Sequence, residues 1–466
     1  MAASRPFLTI AEAANLIAAK KLSPVELTAS YLAAIAALNG RLNAYLLVLE
    51  EYALAEAKTA EAEITAGRSR GPLHGIPIGL KDLFDTKGVA TTGNSAAFRT
   101  RVPTADATVV KKLRDAGAII LGKHTAWEFG IGGASSDLPW PPARNPWNLD
   151  RDPAGSSSGT AAAIAAGLCL AGLGTDTGGS IRGPSAWCGL AGLKPTFGLV
   201  SKAGVMPLSD SLDHVGPLAW TAEDCRLIMQ VIAGHDPTDP FSANVSGLDF
   251  GASIERPARG LKIGLVRDYY ERQIEATPAV RRAFDDSVAE LTKAGATFKD
   301  VTIPTIKAFA DTGSLISPYE GWAHYGAMIE AMPGKFAART RARLEPGKAV
   351  TRDAHLGGLK TRGELSMAVD EVLNDVDVLL LPTSSEGARE MGDDTLALGR
   401  SPFYNRSFNL SGHPAMSVCN GYTADDLPIG IQIVGRKFED DRVIALAHLI
   451  ERTAATRGRR PAIATG

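Results

Sequence analysis

The chain has 466 residues, 45% of them hydrophobic and 21% charged, which allows one large domain or a few ordinary ones and a core that needs no covalent staples. A net charge of −2 removes any electrostatic reason to bind nucleic acid or an anionic membrane, so neither is expected as a partner. Cys169, Cys188, Cys225 and Cys419 show no CxxC spacing and read as free, mostly buried thiols of a reducing, cytoplasmic setting.

The chain opens on "MAASRPFLTIAEAANL", which lacks the basic start and apolar centre of a secretory signal. No apolar run of roughly 18 residues follows anywhere, so no membrane span is expected. The N-x-S patterns at Asn244, Asn405 and Asn409 are therefore read as chance matches. The first 70 residues read as helices. Thr9 with Glu12 and Ser23 with Glu26 have capping-box spacing, and Pro24 suits a first helical turn. Leu32, Ile35 and Leu38 recur at helical spacing, and Asn39-Gly40 is expected to stop that run. "LHGIPIGLKD" is apolar and β-prone, and "GAIILGK" reads as a buried strand.

Ala161 to Leu170 form a helix pattern that is small and apolar on every face, hence buried all round. "CLAGLGTDTGGS" is a short strand running into a glycine-rich loop. His235 to Gly260, rich in Asp, Pro, Gly and Ser, is a loop or a crossing between subdomains. "LKIGLV" is a strand, and Thr277-Pro278 opens a helix that ends near Gly295. Residues 305–375 are mostly helical. "VDVLLLPTS" and "LPIGIQIVG" are further buried strands, the second followed by a helix to about Arg452, and the basic "TRGRRP" is read as a solvated tail. Strands and helices alternate, which gives an α/β class with a sheet covered on both faces.

Three serines in "DPAGSSSGTAAAIAAG" (152–167) admit three readings. A Gly/Ser linker would be flanked by polar sequence, yet a buried-type helix begins at once. Gly155 to Gly159 also fit G-x-S-x-G, which would make Ser157 the nucleophile of an α/β-hydrolase with a late histidine such as His413. That reading needs a strand before the serine, and "NPWNLDRDPA" is a poor one. The third reading is a catalytic element completed elsewhere. "GLGTDTGGS" has neither G-x-G-x-x-G nor GK[ST] spacing, and the eight histidines are scattered, so no phosphate loop, cofactor or metal site is expected.

Ser180 ends a loop in which Thr177, Gly178, Gly179 and Ser180 offer four successive backbone N–H groups. Such a loop can aim donors at one point as an oxyanion hole, or it can be a plain turn. Asp176 and Arg182 flank it and could brace it by charge-assisted bonds. A serine hydroxyl needs a base, and Lys81, at the end of an apolar segment, would serve if desolvation removed its charge; otherwise it is a surface lysine.

Together "GIPIGLKDLFDTKGVATTGNS", "DPAGSSSGTAAAIAAG", "GTDTGGSIRGPSAWCGLAGLKPTFGLVS" and "NLSGHPAMSVCNGYTADDLPIGIQIVGR" resemble the amidase signature family. The resemblance runs from about residue 9 to 450, with Lys81, Ser156 and Ser180 separated by 75 and then 24 residues. It implies an α/β fold with a large mixed sheet between layers of helices, in one domain over 1–466: a helical segment over 1–70, a catalytic core over about 75–230, and a pocket-shaping segment over about 300–400. It implies a Ser–cis-Ser–Lys triad of Ser180, Ser156 and Lys81, an oxyanion loop of Thr177, Gly178, Gly179 and Ser180, and support from Ser157. Ala154 and Ser158 depart from the family's GGSSGG, both as small residues. Trp127 in "HTAWEFGIGG" departs from the amidotransferase branch; it reads as core, or else as a residue that alters the pocket.

The implied activity is hydrolysis of small or aryl amides through an acyl-enzyme, without cofactor or metal, on a small-molecule substrate and by a possible homodimer. The same chemistry admits carbamates, urethanes and esters. A glutamine-hydrolysing component of a tRNA-dependent amidotransferase is the competing role.

Overall fold

A computed structural model describes residues 7–245, 249–250, 254–393, 401–454 and 458–465. Eleven strands among these residues form one sheet: β1 (Tyr45–Val48), β2 (Pro77–Lys81), β3 (Ile119–His124), β4 (Ala171–Asp176), β5 (Ala191–Lys194), β6 (His214–Ala219), β7 (Lys262–Leu265), β8 (Thr297–Asp300), β9 (Val378–Pro382), β10 (Ala415–Tyr422) and β11 (Pro428–Gly435). Their order is β1-β3-β2-β4-β6-β5-β10-β11-β9-β7-β8. β3, β2 and β4 run parallel, as do β9, β7 and β8, and the pairs between them are antiparallel. The sheet is therefore mixed. β2, β3, β4, β6, β9 and β11 are buried along their whole length, as near-continuous apolar strands are when helices cover a sheet.

The helix Ser158–Ala165 is buried at every residue and packs on β2, β3, β4 and β6 and on the helix Arg182–Cys188. Only small side chains admit this approach. A Cβ on Gly159 would stand 2.4 Å from the Ala44 carbonyl oxygen and 2.5 Å from that of Thr125. The helices Ala222–Ile232 and Asp440–Thr453 pack against each other and against β5, β6, β10 and β11. The pocket-shaping expectation falls on the helices Ile306–Ala331, Ala338–Leu344 and Arg352–Asp375, and its residues 394–400 lie outside the described residues.

Several boundaries differ from the sequence reading. The helix Pro24–Leu42 runs through Asn39-Gly40 and stops at Asn43, whose φ of 51° is left-handed. Asn39 uses its side chain on the backbone of Tyr45, donating to its carbonyl at 2.9 Å and accepting from its N–H at 2.8 Å. The buried helix begins at Ser158 and ends at Ala165, short of Leu170, because Gly167 (φ 67°) turns the chain into β4. The short strands β1, β5, β6 and β8 carry no marked pattern of their own, and β1, β5 and β8 have four residues each. In the basic tail, Thr456 and Arg457 lie outside the described residues. Arg459 and Arg460 are not merely solvated: Arg459 pairs with Asp426 at 2.8 Å, and the Arg460 guanidinium lies 3.2 Å from the Trp220 ring centroid. No disulfide joins the four cysteines, of which Cys169, Cys188 and Cys225 are buried and Cys419 is half-buried. No helix of the described residues is long and apolar enough to cross a membrane.

Candidate active site

β2 and β4 are parallel neighbours, with Leu80 opposite Leu173. Their C-terminal ends therefore lie side by side, the usual place for chemistry in parallel sheets. Lys81 ends β2 and is fully buried. Its Nζ donates to Ser156 Oγ at 2.6 Å and to Thr175 Oγ1 at 2.7 Å. Burial lowers its pKa from the ordinary 10.5 to about 7, against the opposing pull of Asp176 and Asp213. The surface-lysine alternative is thus excluded, and a neutral amine is accessible near neutral pH.

Ser156 reaches this point from the segment before the helix Ser158–Ala165, and its peptide bond with Gly155 is cis. Its carbonyl accepts from the Trp127 N–H at 3.2 Å. The Trp127 indole also lies against Gly155, where a Cβ would come within 2.1 Å of it. Trp127 is half-buried and packs on the Ser156 segment, as the packing reading expects. The Ser157 N–H donates to the Ser180 carbonyl at 3.2 Å, which ties the serine segment to the glycine-rich loop. Ser156 is 1% exposed and Ser180 9% exposed, so Ser180 is the serine that a substrate can reach.

The elbow reading of Ser157 fails on geometry. Ser157 is fully buried and gives its hydroxyl to the Thr175 carbonyl at 3.3 Å, and residues 152–157 form no strand. His413 faces Asp370 at 2.9 Å instead.

The loop after β4 is fixed by one carboxylate. Asp176 accepts from the N–H groups of Gly179 (2.7 Å) and Ile181 (3.1 Å), from Arg182 Nε and Nη2 (3.0 Å each) and from Asn409 Nδ2 (2.7 Å). Burial pushes its pKa up, but the Arg182 charge and these donors outweigh it and hold the carboxyl well below the usual range. Arg182 also donates to Asn405 O, Gln432 Oε1 and Asn409 Oδ1 at 2.7–2.9 Å, so the buried pair is fully satisfied. Asn405 and Asn409, two of the N-x-S asparagines, are fully buried here.

One expectation about the loop narrows. With the Gly179 N–H turned to Asp176, the loop donors without a partner among the described residues are those of Thr177, Gly178 and Ser180. Gly179, at φ 124°, provides the turn. The Thr177 hydroxyl donates to Asp213 Oδ1 at 2.5 Å, and Asp213 Oδ2 accepts from the N–H groups of Leu208 (2.7 Å) and Ser209 (3.0 Å). Thr175, Asp213 and Gln432 were not singled out from the sequence, and Asn409 was noticed only as a chance N-x-S match. Only Thr175 had a usable signal, a hydroxyl one residue before the end of a strand that pairs with the one carrying Lys81. Among the described residues no group of three or more His, Cys, Asp or Glu side chains could hold a metal ion.

This arrangement can be set beside known proteins. The family model described as Amidase matches residues 26–444. The chain belongs to the amidase signature family. Among relatives, this amidase-family chain is 36% identical over 483 residues to the A component of the glutamyl-tRNA(Gln) amidotransferase of Carboxydothermus hydrogenoformans, covering 98% of this chain and 99% of that one. A solved peptide amidase of Stenotrophomonas maltophilia superposes with a TM-score of 0.86 at 30% identity, covering 98% and 99% of the two chains. A bacterial aryl acylamidase of the amidase signature family superposes with a TM-score of 0.89 at 26% identity, covering 100% and 99%.

Proposed function

We propose that this amidase hydrolyses the C–N bond of an amide through an acyl-enzyme on Ser180. The observation that carries this reading is the buried Lys81 Nζ, 2.6 Å from Ser156 Oγ, with a pKa near 7. Neutral Lys81 takes a proton from Ser156, and Ser156 takes one from Ser180. The Ser180 oxygen attacks the carbonyl carbon and forms a tetrahedral oxyanion. The N–H groups of Thr177, Gly178 and Ser180 stabilise that charge, and losing one such donor costs about 100- to 1,000-fold in rate. The relay then returns a proton to the leaving nitrogen as the C–N bond breaks. Water attacks the acyl-enzyme by the same route and regenerates Ser180. Ser157 and the Asp176–Arg182 pair hold this geometry without reacting.

Ser180→Ala tests the reading. Turnover of an anilide or a primary amide is expected to vanish while the melting temperature holds; appreciable residual turnover would remove Ser180 from the mechanism. Esters and carbamates fit the same acyl-enzyme chemistry.

A second reading is favoured by the full-length likeness to the amidotransferase component. In it the amide is that of glutamine, and the ammonia passes to partner proteins that act on charged tRNA. Ammonia release from glutamine that rises sharply when such partners are added would select it. Partner-independent turnover of anilides would select the free-standing hydrolase.

A further inference from the structure

Arg406 opens the helix Arg406–Leu410 and was not singled out by its sequence context. Its side chain crosses from the pocket-shaping helix to the glycine-rich loop. The Cδ lies 3.7 Å from the Cβ position of Gly313, in the helix Ile306–Ala331, and the Nε lies 3.5 Å from that of Gly178. Gly178 stands two residues before Ser180, so the guanidinium borders the proposed oxyanion loop.

Arg406 makes no hydrogen bond or ion pair to another described residue, whereas Arg182 nearby spends its donors on Asp176, Asn405, Asn409 and Gln432. Its side chain keeps an exposed surface. Burial and a second guanidinium, that of Arg343 on the helix Ala338–Leu344, lower its pKa to about 10. Two like charges near each other repel, and an anion seated between them relieves that repulsion.

We infer that Arg406 is a specificity-determining residue, selecting amides that carry a carboxylate a few bonds from the scissile carbonyl. The planar fork of a guanidinium matches a carboxylate in two parallel hydrogen bonds. Its place beside Gly178 sets the reach: a carboxylate on a short chain arrives there while the carbonyl sits at Ser180. Neutral aryl amides lack the group that Arg406 can hold.

The inference rests on the proposed reading of Ser180, and the test separates the two. The rate of Ser180 labelling by a fluorophosphonate is measured on the full chain with succinamate or glutaramate present, and with their neutral counterparts butanamide and pentanamide. The carboxylate-bearing amides are expected to protect at concentrations roughly ten- to a hundredfold lower, the range of a hydrogen bond to a charged group. Arg406→Met is expected to bring the protection ratio close to one, and Arg406→Lys to leave an intermediate ratio. Labelled protein that shows equal protection by both classes would overturn the inference alone, as would a ratio that survives Arg406→Met. Absence of labelling at Ser180 would overturn the underlying reading and this inference with it.

Discussion

Lys81 is the residue on which the chemistry turns, because its position decides its charge. A lysine at the surface would be protonated throughout the physiological range, whereas this one is fully buried and titrates near pH 7. The sign of the pH dependence follows. Only neutral Lys81 accepts the Ser156 proton, so kcat/KM is expected to rise through pH 7 and level off above it. A profile that falls through that range would mean that the protonated form is the active one. Stability carries the same signature. Between about pH 7 and the ordinary 10.5, the unfolded chain holds a proton on Lys81 that the folded chain has lost. Stability from this group therefore rises with pH across that window, and its cost is full below it. Lys81→Met should abolish turnover and should raise the melting temperature more at pH 6 than at pH 9. An equal change at both would contradict the assigned titration. Lys81 and Ser180 stood out locally, at the end of an apolar segment and of a glycine-rich loop, whereas Ser156 was read only from the family resemblance. Arg406 did not stand out, since an arginine in "FYNRSFNL" has no local signature and gains its meaning from Gly178 and Gly313.

At the scale of elements, the site is a junction of three: the ends of β2 and β4, the segment that enters the helix Ser158–Ala165, and the loop that enters the helix Arg182–Cys188. The small-residue helix was readable because nothing larger fits against the Ala44 and Thr125 carbonyls. The brace between Asp176 and Arg182 was readable as two charges flanking a loop, but its extent was not. Asn409 and Gln432 come from more than 220 residues away, and no local pattern reveals such contacts. Arg182→Ala would strand a buried carboxylate. It is expected to cost about 3–5 kcal/mol, measured by denaturant unfolding, and a loss under 1 kcal/mol would show that the pair contributes little. Asp176, held below the usual carboxylate range, contributes stability above the unfolded-state pKa, and that contribution fades as the pH falls toward the folded-state value. Thr177→Val removes only the bond to Asp213. It should lower kcat by roughly tenfold with little change in KM, less than the loss of an oxyanion donor outright. An altered KM at constant kcat would place Asp213 in binding instead.

For the whole molecule, one eleven-stranded sheet carries the site toward its β1 edge, between β2 and β4. The α/β class was legible from the alternation of patterns. The strand order was not, since it depends on pairings such as β5 with β10 that join residues more than 200 apart. Family membership narrows the chemistry to amide-type C–N bonds. The branch stays a proposal, because relatives with different names share the fold and overall length. EDTA is expected to leave turnover unchanged, and a loss that added zinc or magnesium restores would show a metal-dependent step. The central claim is that Ser180, fed by Ser156 and Lys81, is the nucleophile. Covalent labelling with a fluorophosphonate, followed by peptide mapping, tests it most directly. The tag is expected on Ser180, and Lys81→Ala should slow its attachment by orders of magnitude. A tag on Ser157, or on any other serine with Ser180 unmodified, would contradict the account.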